Sequence, residues 1–209
     1  LVSRVNGRRF AIGELELVSL GALRARAHAA GGLPGRLRVG IVQGDVRKMH
    51  QSSENRGALF QVASQFNLLE MVVPSVTPEH GVTGYAHDRT QGPACAIAAG
   101  AATIYRNYFA AVGNAQGQTA TRQLDGLADI GSALSEALGR PVAQLWEMRN
   151  GYALCTQSGL EAMSAYLETP ESAQAVLLAD RLRIGLHWDV EVTDVPSGSG
   201  PRVSQAFCS

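Results

Sequence analysis

The sequence has little that would tie it to a membrane, a nucleic acid or an oxidising compartment. No apolar run approaches the ~20 residues that a membrane-spanning helix needs, and the stretch from Leu1 lacks the pattern of a signal peptide. Net charge is absent too: Lys plus Arg and Asp plus Glu each total 18, and the arginines are scattered rather than gathered into a basic patch. Neither a nucleic acid nor an anionic membrane is therefore expected as a partner. The three cysteines, Cys95, Cys155 and Cys208, form no C-x-x-C pair and no Cys/His cluster. They read as reduced thiols of a cytoplasmic protein without a structural metal or a disulfide framework.

What is present describes one α/β domain. The 209 residues are 45% hydrophobic and 17% charged, enough for a single good-sized core and too apolar for disorder. The chain starts at Leu1 without methionine and stops at Ser209 inside a strand-like run, so a piece of a longer protein is expected. Asn6-Gly7 centres a hairpin, and Ser19 suits the N-cap of a helix to about Ala30. Arg36 to Gln43 alternates with period two and reads as a strand delivering Gly44-Asp45-Val46 at its end. A polar loop from Lys48 to Gly57 leads to a second strand, Ala58 to Ala63, and then to the polar run Ser64 to Glu70. After a flexible link from Gly113 to Gln118, helices are expected from Leu124 to Leu138, broken by Gly139-Arg140-Pro141, from Ser158 to Leu167 and from Pro170 to Arg183, the last capped by Thr169 with Pro170 at its first position and Glu171 in its first turn. Short strands are expected at Gly151 to Cys155, Ile184 to Val195 and Val203 to Ser209.

The stretch from Tyr85 to Asn107 organises the rest. A polar approach, His87 to Gln91, turns into Gly92-Pro93 and a helix of small residues running to about Ala111. Such an N-terminus offers backbone N–H groups and partial positive charge to an anion. Tight packing on a sheet would select the same small residues.

Taken in order, V-Q-G-D-V, F-Q-V-A-S-Q-F-N-L-L-E and T-Q-G-P-A-C-A-I-A-A-G resemble the divergent macrodomains that act as arginine-specific ADP-ribosyl hydrolases, among them bacterial effectors. The likeness covers roughly Arg38 to Asn107, with a weaker match at Val203 to Ser209. It implies a macrodomain-like mixed sheet flanked by helices and, as partner, ADP-ribose or an ADP-ribosylated protein, with a host cytosol as a second possible location. It further implies that Asp45 and Val46 meet the adenine, that Asn67 lies near the distal ribose, and that Gly92, Pro93, Ala94, Cys95 and Ala96 cradle the diphosphate. Thr90-Gln91-Gly92-Pro93 replaces the glycine run usual in macrodomains, and the loop after Asp45 is longer.

Cleaving an N-glycosidic bond to arginine needs an activated water and a carboxylate beside the guanidinium. Asp88 is the first candidate, as base or guanidinium anchor, with Glu79 as helper and Glu70 as a third acid. Each has a structural alternative: Asp88 as cap of the turn before Gly92, Glu79 as a first-turn helix charge, Asp45 and Asn67 as cap and turn residues. Gln65, Thr90 and Gln91 are suited to reading ribose hydroxyls or backbone. Two other readings stand beside this one. A non-catalytic ADP-ribose binder would need the same pocket. A cysteine hydrolase would use Cys95 as nucleophile, His187 as base, Asp189 as its orienter and Gln91 as oxyanion donor.

Overall fold

The computed structural model of the chain describes residues 1–32, 35–70, 73–88, 90–168, 173–196 and 198–208. In chain order it forms β1 (Glu14–Ser19), α1 (Leu20–Ala29), α2 (Val46–Gln51), β2 (Leu59–Ala63), α3 (Gln91–Ala98) and α4 (Gly100–Tyr108). A small hairpin of β3 (Ala111–Val112) and β4 (Ala115–Gln116) follows, then α5 (Ala128–Leu138) and α6 (Val142–Leu145). A second hairpin, β5 (Trp146–Arg149) and β6 (Tyr152–Cys155), precedes α7 (Gln157–Leu167) and α8 (Ala173–Arg181). The chain closes on β7 (Arg183–Glu191) and β8 (Arg202–Cys208).

Four strands make one mixed sheet in the order β1-β7-β8-β2, antiparallel except for the parallel pair β8 and β2. The two-residue period of a strand assigns its faces. Leu15 and Leu17 of β1 and Phe207 of β8 join Cys95 of α3, whereas Val18, Leu186 and Ala206 turn the other way onto Leu23 of α1. Helices thus flank the sheet on both faces, as the alternation of strands and helices along the sequence leads one to expect. A further apolar cluster, built on Leu134, Leu145 and Trp146, draws in Met163 and Leu178 and joins α5 to α8.

Several local signals act as read. The Ser19 hydroxyl accepts from the Ala22 N–H at the start of α1, and Gly139, at φ 62°, ends α5. The cap expected at Thr169, Pro170 and Glu171 lies outside the described residues. Asn6-Gly7 does turn the chain, Gly7 having φ 69°, although only an isolated bridge between Val2 and Arg9 follows from it.

Four expectations are corrected. Residues 36–43 are not a strand: they run irregularly, with Leu37, Val39 and Ile41 at 83% exposure or more. Strand propensity needs a neighbour to pair with. The backbone edge of β2 is instead met by the Gln91 carboxamide, which donates to the Gln61 carbonyl at 2.6 Å and accepts from the Ala63 N–H at 2.8 Å. The expected loop after Asp45 opens with α2, because the Asp45 carboxylate accepts from the Arg47 N–H at 2.8 Å and caps it. The expected single helix through residue 111 is broken at Ala99. There the segment after β7 inserts into the helix ladder, with the Thr193 N–H donating to the Ala98 carbonyl and the Gly100 N–H donating to the Thr193 hydroxyl. The expected link from Gly113 to Gln118 instead carries the β3–β4 hairpin, with Gly113 at φ 59° in its turn and Gly117, at φ 77°, just after β4.

Candidate functional site

Where β2 ends, the chain folds back on itself. Leu68 takes φ 64°, the Gln65 N–H donates to the Leu69 carbonyl at 3.0 Å, and the Phe66 N–H donates to the Gly151 carbonyl at 2.9 Å. Asn67 holds this bend from inside. Its side chain accepts from the Leu69 N–H and donates to Gln123, and its carbonyl accepts from Gln118. The Asn67 carboxamide is fully buried and does not line the cleft described next. Gly151, at φ 83°, is required against it, since a Cβ there would sit 2.5 Å from the Asn67 side chain.

The bend carries its polar residues to the carboxyl end of β2, where the N-terminus of α3 also arrives. Ligands of open α/β sheets bind at this end. A cleft opens there in two adjoining lobes. The inner lobe, about 370 Å³, is lined by Gln65, Glu70, Thr90, Gly92, Pro93 and Tyr152. The outer lobe, about 630 Å³, is lined by Asp45, Val46, Arg47, Ala86 and Ala94. Asp88 and Gln91 border both lobes. Each volume lies within the ~300–1,000 Å³ range of small-molecule sites.

Gly92 is where the lobes, the strand and the helix meet. A Cβ at this position would lie 2.2 Å from the Ala63 carbonyl oxygen and 3.1 Å from Glu70 Cγ, so glycine alone lets α3 begin here. On the rim, the Thr90 N–H and hydroxyl both donate to Asp88 Oδ1, at 2.7 and 2.5 Å. The Thr90 hydroxyl, followed by its backbone N–H, holds the Asp88 carboxyl below its ordinary range. In the outer lobe Arg47 supplies one cationic head, shared with the Asp194 carboxylate at 2.7 Å.

Glu70 is the unusual group. It is 2% exposed, it lines the inner lobe, and neither carboxylate oxygen makes a hydrogen bond to another of the described residues. Among the described residues the cation that reaches it is Arg106 of α4, whose Nη2 lies 3.6 Å from Glu70 Oε1. Burial outweighs that attraction and raises the Glu70 carboxyl to about 7. An acid poised near neutrality in a cleft is suited to proton transfer.

Arg106 is itself fully buried and anchors a set of buried side chains. Its Nε donates to the Leu68 carbonyl, Nη2 to the Thr103 hydroxyl, and Nη1 to His187 Nδ1 at 3.3 Å and Gln205 Oε1 at 3.5 Å. The guanidinium also stacks over Phe207, 4.0 Å from the ring centre. Because arginine only donates, His187 Nδ1 must accept, and its proton resides on Nε2. Burial, and next the Arg106 charge, lower the His187 imidazole to about 3. The Gln205 carboxamide then donates to His50 Nε2 at 3.2 Å, so His50 carries its proton on Nδ1, 2.8 Å from the Val46 carbonyl. The inner lobe and the start of α2 are thereby joined through the interior.

No family model matches the chain, and neither a curated protein nor a solved structure matches it. The site has to be read from its geometry.

Of the residues singled out from the sequence, the fold brings Asp45, Val46, Gln65, Glu70, Asp88, Thr90, Gln91 and Gly92 to Ala94 to one cleft. Glu79 is elsewhere, in a 3₁₀ turn of residues 78–80, where its carboxylate accepts from the Ala120 N–H at 2.8 Å. Cys95 and Ala96 are buried one turn behind the cleft. The arrangement needed for a cysteine hydrolase is not assembled. Cys95 sits among Val62, Leu68 and Phe207, and burial, with the Glu70 charge adding to it, pushes its thiol up to about 12. His187 faces Arg106, Asp189 bonds Arg202, and Gln91 is committed to β2.

Arg106, Tyr152, His50 and Gln205 escape the sequence reading. Arg106 alone leaves a trace there: it is the one charged residue between Arg89 and Arg122, set in a helix of small and aromatic side chains. Among the described residues no helix is long and apolar enough to cross a membrane.

Proposed function

We propose that the two-lobed cleft binds ADP-ribose and that the protein hydrolyses the bond between ADP-ribose and arginine. The observation that carries this reading is the buried Glu70 carboxyl, without a hydrogen-bonding partner among the described residues, at the far end of a cleft that starts at Asp45 and passes the α3 N-terminus. In this reading the adenine lies in the outer lobe beside Asp45 and Val46. The diphosphate passes the first turn of α3, where Gln91 and Gly92 present backbone N–H groups and small neighbours allow close approach. The distal ribose enters the inner lobe towards Gln65, Tyr152 and Glu70, and the arginine side chain leaves past Asp88.

The chemistry follows from these positions. A water attacks the anomeric carbon of the distal ribose as the carbon–nitrogen bond to the guanidine breaks. One proton of the water passes to the Glu70 carboxylate and on to the departing nitrogen, giving ADP-ribose and free arginine. Asp88, ionised and at the rim, pairs with the substrate guanidinium. A cytoplasmic site of action fits a substrate of this kind.

Titration calorimetry with ADP-ribose tests the pocket, and release of label from an arginine-ADP-ribosylated protein tests the reaction. Binding with release is expected. Binding without release leaves a reader of ADP-ribose, and absence of binding removes both.

A further inference from the structure

We propose that Arg106 is the positioning residue of Glu70: it holds the carboxylate at the floor of the inner lobe and governs its charge. The proposal rests on the hydrolase reading for its kinetic consequence and on geometry for the rest.

The guanidinium is fixed on every side. The Leu68 carbonyl, the Thr103 hydroxyl, His187 and Gln205 accept from it, and the Phe207 ring lies beneath it. A cation held this way cannot turn to form a short bidentate pair with Glu70, and the 3.6 Å separation is the result. The acid is drawn towards Arg106 from one oxygen, and neither oxygen is hydrogen-bonded to another described residue. Were the pair bidentate, Glu70 would be a permanently ionised structural residue. Were Arg106 absent, burial would act on the carboxyl with only its own backbone N–H among the described groups to favour the ionised form. Among the described residues, the other titratable groups acting on this pair are Tyr85 from the 3₁₀ turn of residues 82–87, Cys95 from α3 and His187 from β7. Burial keeps Tyr85 and Cys95 protonated and His187 neutral, which leaves Arg106 as the cation facing the acid among the described residues.

The test reads Glu70 directly. Infrared difference titration of the full chain follows the carbonyl band of its protonated carboxyl, which is identified by its loss in Glu70→Gln. The band should titrate near neutrality in the native protein. In Arg106→Gln the midpoint should rise by about one unit or more, whereas Arg106→Lys should keep it near the native value. Thr103→Val, an isosteric change that removes a competitor for Nη2, should lower it and serves if the arginine variants do not fold. A midpoint that moves in none of these variants overturns the proposal. The kinetic arm measures kcat against pH on an ADP-ribosylated arginine substrate. Its acid limb should follow the infrared midpoint in each variant, with ADP-ribose affinity in Arg106→Lys within about twofold of native. Infrared shifts without any turnover would defeat the hydrolase reading while leaving the Arg106–Glu70 relation standing.

Discussion

Lowering the pH from 8 towards 3 sets two buried groups against each other, and the opposition can be worked out from the structure. Glu70 is raised from 4.5 to about 7 in the fold, so its contribution is fully present below pH 4.5 and is lost as pH rises towards 7. His187 is lowered from 6.5 to about 3, so its contribution is present above pH 6.5 and is lost as pH falls through that window. At ~1.4 kcal/mol per unit, the ceilings are about 3 kcal/mol for Glu70 and about 5 kcal/mol for His187. Between pH 6.5 and 4.5 the two slopes are opposite and nearly equal. Below 4.5 the His187 loss continues without the Glu70 gain, down to about pH 3; His50, also lowered by burial, adds a loss that sets in as pH falls below 6.5, and Asp125, raised by burial, opposes it at the acid end. Urea unfolding read by the fluorescence of the buried Trp146 should therefore give a nearly flat stability from pH 6.5 to 4.5 and a fall beneath it. Glu70→Gln should remove the compensation, so that stability declines by about 3 kcal/mol across the formerly flat interval. His187→Asn, which keeps an acceptor for Arg106, should abolish most of the acid loss. Equal pH slopes for the native protein and Glu70→Gln between 6.5 and 4.5 would refute the reasoning.

The remaining predictions concern the cleft and the thiols. Gly92→Ala places a methyl against the Ala63 carbonyl, so it should cost about 1–3 kcal/mol and weaken ADP-ribose binding together, both readable from melting curves with and without ligand. Glu70→Gln should lower kcat on ADP-ribosyl-arginine by roughly 10²–10⁴-fold with little change in ADP-ribose affinity; a fall in affinity alone would point to a binding role. Asp88→Asn should cost about tenfold in kcat/KM for the arginine-linked substrate and leave free ADP-ribose binding unchanged, because the lost contact is to the guanidinium. Iodoacetamide at neutral pH should label the exposed Cys155 and spare Cys95, as peptide mapping would show; rapid labelling of Cys95 would revive the thiol nucleophile.

The parts of the fold that could be read in the sequence are those written locally. The short apolar run of β2, the Ser19 cap and the Gly139 stop each act within a few residues, and each appears where expected. The cleft was partly legible because strand ends and a helix start release polar residues together. What was hidden is long-range. Arg106 finds its partners 38, 81 and 99 positions away, and no local spacing announces that His187 would serve it rather than Cys95. Residues 36–43 failed for a related reason: the pattern of a strand was there, and the neighbour that would make it one was not. Glu79 was nine residues from Asp88 in sequence, yet the turns between them carry it to Ala120.

The Gln91 carboxamide covers part of the open border of β2. An open strand margin is a template for other chains, and natural proteins blunt it with side chains or loops. Gln91 occupies two of the backbone groups on that margin, while the apolar, alternating run 36–43 lies fully exposed elsewhere on the same molecule. Removing the carboxamide would set an unsatisfied margin and a strand-like run in the same solution, and concentration-dependent self-assembly would follow. A loss of activity in Gln91→Ala would thus have to be separated, by light scattering, from a loss of monomers.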